Sequence, residues 1–368
     1  MLYHFLPPLA DIHIVFNLFN FITFRAAGAV VTALVLTLLL GPPVIRRLRA
    51  LRVGQVVRSE GPESHLRKSG TPTMGGALIV LAATLSTLLW AELTNWYVVI
   101  PLVGLLWMAA IGFMDDYLKV VQRRSRGLVA RYKMVGQLVF ALAVALFLIF
   151  HPISPIPTNW TSVPFFEGFY AEFWIPVYVL FVAAVVAGSS NAVNLTDGLD
   201  GLAAGLSAIA VIVMGVFAYL VGRVDTTEYL GLFYLPGAGE MSIFAGALAG
   251  AAIGFLWYNA PPAEVFMGDT GSLALGGALG VMSILLKAEF LLAIVGGVFV
   301  LEALSVMLQT SWFRWTRMRH GEGRRLFRMA PLHHHFEKLG WPETRVLIRF
   351  WILGVLFAML AFSTLKIR

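Results

Sequence analysis

Ten apolar runs dominate this chain of 368 residues. Each is close to the roughly 20 residues that a helix needs to cross a hydrocarbon core, and they cover about 22–45, 72–92, 97–114, 134–151, 173–191, 201–221, 240–259, 271–287, 289–312 and 346–365. Backbone inside lipid must satisfy its own hydrogen bonds, so such runs become helices. The expected fold is an all-α polytopic membrane protein of about ten transmembrane helices, built as one integral membrane domain over residues 1–368. The eighth and ninth runs are separated only by Lys287-Ala288-Glu289, which predicts a tight turn. With 59% hydrophobic and 13% charged residues, the chain is far from the soluble norm of about half and about a quarter. It has no cysteine, which excludes disulfides, thiolate metal sites and a thiol nucleophile. The opening MLYHFLPPLADIHIVFNLFNF lacks a basic stretch and a small-residue cleavage site, so it is expected to belong to the mature protein.

Lys and Arg set the expected orientation. The loops after runs one, three and nine, the last with the start of run ten, hold 22 of the 27 basic residues. Alternation puts these three loops on one side, the cytoplasm, and both termini on the periplasmic side. The net charge of +7 then reflects retained cytoplasmic loops and contact with anionic membrane lipid, and no nucleic-acid partner is expected. Two further loops on the cytoplasmic side, 192–200 and 260–270, contain no Lys or Arg and carry aspartates instead. On the other side, the segment 152–172 is rich in Pro and aromatics and suits an ordered interfacial element.

The acids fall at the ends of spans. Asp115 and Asp116 sit in GFMDDYLK, with Lys119 one turn on; Asp197 and Asp200 sit in NAVNLTDGLDGL, and Asp269 in FMGDTGS. Carboxylates cost roughly 2.5–3.5 kcal/mol each inside lipid, so a gathering at one face suggests a metal site acting on an anionic substrate. Adjacent helical residues point about 100° apart, so Asp115 and Asp116 are expected to take different roles. Plainer readings stand beside these: an Asp115–Lys119 ion pair at a helix end, and Asp197 or Asp269 as an N-cap. A cap explains one polar residue of Asn194, Thr196, Asp197 and Asp200, not four. Phe266 could stack on a flat ring or anchor its loop among headgroups. The run His333, His334, His335 in PLHHHFE is a poor zinc motif, because consecutive side chains diverge, but imidazoles can pair with phosphate near neutral pH. SHLRKSGTPTMGG, with Lys68, reads as a phosphate-contacting loop or as ordinary positive flanking charge.

In their order, KSGTPTMGG, GFMDDYLK, NAVNLTDGLDGL, FMGDTGS and PLHHHFE resemble the phospho-N-acetylmuramoyl-pentapeptide transferase family, within the polyprenyl-phosphate N-acetylhexosamine-1-phosphate transferase superfamily. The resemblance covers nearly the whole chain. It implies transfer from UDP-N-acetylmuramoyl-pentapeptide to undecaprenyl phosphate, giving lipid I and UMP, with magnesium, in a homodimer of the bacterial inner membrane. It implies Asp269 as the principal magnesium ligand and Asp116 as its support. Asp115 would deprotonate or orient the lipid phosphate. Lys68, Lys119 and Lys133 would contact phosphate. Asn194, Asp197, Asp200, Asn259, Phe266 and Gln309 would form the nucleoside and pyrophosphate pocket, with Phe266 on the uracil. His333 and His334 would face phosphates or sugar, with His335 in the same substrate-contacting run. The competing readings are a sibling transferase acting on a peptide-free UDP-N-acetylhexosamine and an ion-coupled transporter, whose carboxylates would lie near the midplane.

Overall fold

The structure is a computed structural model that describes residues 1–50, 70–120, 122, 127–166 and 170–365. After short helical turns at Leu2–Phe5, Pro7–Leu9 and Ile14–Asn20, the chain enters α1 (Ile22–Ala50). Then come α2 (Gly76–Trp90), α3 (Trp96–Val120), α4 (Ala130–Phe150), α5 (Ile175–Thr196), α6 (Leu202–Val221), the short α7 (Val224–Leu230), α8 (Met241–Asn259), α9 (Gly268–Leu285), α10 (Glu289–Val295), α11 (Gly297–His320), α12 (Leu332–Lys338) and α13 (Glu343–Ser363). Among the described residues, eight helices are long and apolar enough to cross a membrane, and the α10–α11 pair is a ninth candidate. The protein is thus an all-α, multi-pass membrane protein.

Two of the ten expected spans take another form. The run at 72–92 yields only the 15 residues of α2, about 22 Å at 1.5 Å per residue, short of a core of about 30 Å. Its first residues leave the helix to pair with the loop before α9: Phe266 N–H donates to Pro72 O, Gly75 N–H to Phe266 O and Gly76 N–H to Met267 O, each at 2.8 Å. The run at 289–312 is not one straight span. It breaks at Gly296, bends by 85°, and continues as α11 to His320. A glycine pair is a usual place for so sharp a bend, and a Cβ at Gly297 would press into the Phe357 ring. The turn expected at Lys287-Ala288-Glu289 is present, with Lys287 at a φ of 56°.

The core is α8 and α9. Every residue of α9 from Thr270 to Leu285 is buried. Around them pack α1, α3, α5 and α6, with α8 seated on α1 and α6 and α9 on α3 and α5. A proline pair inside α1 shows how the contact is tuned. Pro42 has no N–H, so the Leu38 carbonyl one turn earlier loses its helical donor. The Tyr258 hydroxyl of α8 donates to that carbonyl at 2.7 Å, and its ring lies over Gly41, where a Cβ would block it. At the far end from the aspartates, the expected ordered segment is a small antiparallel hairpin of β1 (Trp160–Ser162) and β2 (Tyr170–Glu172). It is tied down by Ser162 N–H donating to Lys287 O at 3.0 Å.

Tyr258→Phe leaves the Leu38 carbonyl without a donor in an apolar setting, so thermal unfolding in detergent should show a loss of about 1–2 kcal/mol; an unchanged midpoint would mean the bond contributes nothing.

Candidate active site

The cluster of acids forms where α3 ends and α9 begins. Oxygens of Asp115, Asp116 and Asp269 all lie within 4.8 Å of one another. The approach is possible because Gly112, one turn before Asp116, has no side chain: a Cβ there would collide with the Asp269 carbonyl and the Thr270 nitrogen. Gly268, at a φ of 73° that favours glycine, brings the first turn of α9 against Asp116.

Asp116 caps α9 from outside. Its Oδ1 accepts from Asp269 N–H at 3.1 Å, and its Oδ2 accepts from Thr270 N–H at 2.9 Å and from the Thr270 hydroxyl at 2.7 Å. These N–H groups are the unpaired donors of a helix start, where an anion is favoured. Asp115 is fully buried. Its Oδ1 accepts from Leu128 N–H at 2.7 Å, and its Oδ2 pairs with Lys119, the expected i,i+4 partner, and with Lys133 at 2.9 Å. Both lysines also reach Asp269 Oδ2, Lys119 at 3.3 Å and Lys133 in closer contact. The two neighbouring aspartates face different partners, Asp115 the lysines and Asp116 the helix start. Two ammonium groups against three carboxylates leave one negative charge uncompensated. Three hard oxygen donors with surplus charge fit a divalent cation such as magnesium, and the cluster could hold a metal ion.

The aspartate loop after α5 sits beside the cluster. Burial, then the charges of Asp269, Asp116 and Asp200, push the Asp197 carboxyl up to about 8, against a backbone hydrogen bond from Gly268. Asn194 donates to the Ser272 hydroxyl at 3.2 Å, which donates to Gly268 O at 3.0 Å. Asp200 and Asn259 brace loops. Asp200 Oδ2 accepts from Ala263 N–H at 3.1 Å. Asn259 accepts from Gly201 N–H at 3.0 Å and donates to Val265 O at 2.9 Å. Phe266 is half-buried, and its backbone N–H and carbonyl are bonded to Pro72 and Gly75, so its ring is presented from a fixed segment.

Against the divergence expected from their spacing, the His333 and His334 rings meet edge to face with centroids 4.1 Å apart, and only His335 turns away, toward Phe327. His333 is fully buried, and its Nε2 lies against Gly198 of the aspartate loop, where a Cβ would displace it. His334 Nδ1 lies 2.8 Å from Glu337, and His335 Nδ1 accepts from Arg328 N–H at 3.1 Å. Sequence reasoning missed what seats them. Glu302, fully buried in α11, accepts from Leu332 N–H at 2.6 Å and His333 N–H at 3.2 Å, and lies 3.2 Å from His333 Nδ1. A lone acid in VFVLEALSV was the available signal, because an acid in an apolar span is expensive without a partner. Thr270 and Ser272 were missed too; as small polar residues in a helix start they carry little signal. Gln309 is not next to the aspartates through any bond it makes. Its Oε1 accepts from Leu326 N–H at 3.1 Å and Phe327 N–H at 2.8 Å, and its Nε2 donates to Phe327 O at 3.4 Å. Lys68 lies outside the described residues.

The sequence profile of glycosyl transferase family 4 matches residues 98–287, the stretch that contributes all three clustered aspartates. The class is therefore a membrane-embedded transferase. A signature of the phospho-N-acetylmuramoyl-pentapeptide-transferases matches residues 68–80. The chain is 55% identical over 381 residues to the phospho-N-acetylmuramoyl-pentapeptide-transferase of Gemmatimonas aurantiaca, covering all of both chains. It is 50% identical to that of Endomicrobium trichonymphae and 52% to that of Desulfatibacillum aliphaticivorans, each over 368 residues and both full lengths. The chain belongs to the phospho-N-acetylmuramoyl-pentapeptide-transferase family.

The Asp197 carboxyl gives a pH signature. Its folded value near 8 lies above its ordinary value of 3.8, so between these the folded protein holds a proton that the unfolded chain has lost. Stability should fall as pH rises through that window. In divalent-free buffer, Asp197→Asn should raise the melting temperature clearly at pH 8.5 and little at pH 5; equal gains at both would refute the raised value.

Proposed function

We propose that this chain transfers phospho-N-acetylmuramoyl-pentapeptide from its UDP-linked donor to undecaprenyl phosphate in the bacterial inner membrane, yielding lipid I and UMP. The observation that carries the reading is the juxtaposition of three carboxylates with Lys119 and Lys133 where α3 meets α9. A lipid phosphate and a water-soluble diphosphate can react only at a membrane face, and their meeting crowds negative charge that cations must offset. The excess of Lys and Arg on the loops that share the aspartates' side supports a cytoplasmic site with periplasmic termini. Homodimer formation rests on the family resemblance alone.

In this reading an oxygen of undecaprenyl phosphate attacks the sugar-side phosphorus of the donor, a new P–O bond forms, and the bond to the UMP oxygen breaks. UMP leaves with the electron pair. Lys119 and Lys133, freed in part from Asp115 and Asp269, contact the phosphates. Asp115 orients the acceptor phosphate and takes its proton where one is present. Magnesium, held by Asp269 with Asp116 and Asp115 beside it, would neutralise charge developing on the diphosphate. Direct attack is favoured over an aspartyl-phosphate route. Both oxygens of Asp116 and one of Asp115 are already held by N–H donors, and a lipid phosphate is itself a nucleophile. Asn194 and Asp197 then border the pyrophosphate, Asp200 and Asn259 shape the loops around it, and Phe266 offers its ring to the uracil. An ion-coupled transporter would hold its acids near the midplane; here they lie in the last turns of α3 and the first turn of α9.

Asp269→Asn keeps the size and removes the charge. Lipid I formation, measured as UMP release with magnesium, should fall by more than about a hundredfold, with folding retained; near-normal turnover at saturating magnesium would remove Asp269 as the principal ligand. Phe266→Ala should weaken donor binding by about 1–3 kcal/mol, as loss of a base-stacking ring does. Affinity for the lipid phosphate, which has no base, should be unchanged. Titration of folded variant with the UDP donor decides it: an intact dissociation constant takes Phe266 out of the pocket.

A further inference from the structure

The loop between α11 and α12 carries Arg324, Arg325 and Arg328, all exposed. Among the described residues no carboxylate pairs with them, whereas other ion pairs of the structure are resolved. Exposed arginines on a cytoplasmic flank need no fixed backbone. This loop has one. Arg324 N–H donates to the Thr316 hydroxyl at 2.8 Å, Leu326 and Phe327 N–H to Gln309 Oε1, and Arg328 N–H to His335 Nδ1 at 3.1 Å. Four backbone donors in five residues are thus held by side chains from both flanking helices. Two of the guanidiniums spend a donor on placement: Arg328 Nη1 on Lys338 O at 2.8 Å, and Arg325 Nη1 on Arg328 O at 3.4 Å. With five N–H donors each, most of their capacity faces solvent.

The loop is also wired to the aspartates. Arg328 is bonded to His335, and His333 on the same short helix abuts Gly198 between Asp197 and Asp200. A donor sugar seated on the diphosphate site trails a pentapeptide with a free C-terminal carboxylate. Five extended residues reach at most about 17 Å, so any protein group that recognises that carboxylate lies within that reach of the sugar. Planar guanidinium forks suit a carboxylate better than any other group does.

We propose that the latched loop is the subsite for the far end of the donor's peptide, with Arg324, Arg325 and Arg328 binding its terminal carboxylate and any acidic side chain along it. Gln309 then serves to hold the loop in shape rather than to touch the nucleoside. The inference rests on the transferase reading above.

The test compares two donors, UDP-muramoyl-pentapeptide and its C-terminal amide, on purified full-length protein in proteoliposomes with undecaprenyl phosphate and magnesium. The unaltered protein should show a KM for the amide roughly three- to tenfold higher than for the acid, as expected for losing exposed charge pairs. The triple variant Arg324→Gln, Arg325→Gln, Arg328→Gln should treat the two donors alike. A protein that never distinguishes acid from amide, or a variant that still does so to the same degree, overturns the proposal. So does a variant altered only in its response to exchanging phosphatidylcholine for phosphatidylglycerol, which would assign the loop to lipid headgroups. Should the variant fold poorly, a donor with a photoreactive C-terminal residue should label residues 321–331 of the unaltered protein, and labelling elsewhere sinks the idea. Absence of UMP from the unaltered protein with the acid donor would instead sink the transferase reading itself.

Discussion

Three carboxylates held together at the edge of a membrane protein repel one another, and the end of the molecule where α3 meets α9 is arranged around that repulsion. Two unit charges 4 Å apart cost about 4 kcal/mol at an effective dielectric of about 20. The protein offsets this with three separate devices. Lys119 and Lys133 bridge Asp115 and Asp269. The start of α9 donates its unpaired N–H groups to Asp116. Asp197 nearby is held in its neutral form around neutral pH. With the remaining negative charge the cluster is not a closed ion-pair network and could hold a metal ion.

Such crowding demands close backbone contact, and the packing supplies it. Gly112 lets α3 touch the first turn of α9, and Gly76 does the same between α2 and Gly271. The pairing of 72–76 with 266–267 shortens α2 but locks the start of α9 and the Phe266 ring in one frame. A rigid first turn on α9 keeps the Asp116 acceptors and the Asp269 carboxylate in register. Phosphoryl transfer depends on such positioning more than on covalent participation.

The histidine helix is coupled to this frame at one point and to the arginine loop at another. Glu302 anchors its start from within the apolar body of α11, and Gly198 leaves room for His333. The bend at Gly296 matters here, because it sends α11 away at 85° from α10 and carries Glu302, Gln309 and Thr316 to the places where they hold α12 and its preceding loop. The arginine loop, the histidine helix and the aspartate loop are thereby linked through α11.

Apolar runs and their lengths determined the all-α membrane fold, because lipid leaves the backbone no other way to satisfy its hydrogen bonds. The motifs likewise marked Asp115, Asp116, Asp269 and Lys119, because charged groups at the ends of apolar spans are costly if buried in lipid, and the family resemblance added Lys133. Tertiary structure decided what periodicity cannot carry. Hydropathy sees residues 72–75 and 289–312 as helix-compatible, yet pairing with residue 266 unwinds the first and a glycine break bends the second. The family resemblance implied that Asp200, Asn259 and Gln309 line the substrate pocket; the tertiary structure adds that each also holds loop backbone. Glu302 and Thr270 acquire meaning only from the groups that fold brings to them. Spacing along a chain specifies faces of a helix; which faces meet depends on contacts between residues as much as 220 positions apart, and those exist only once the helices have packed.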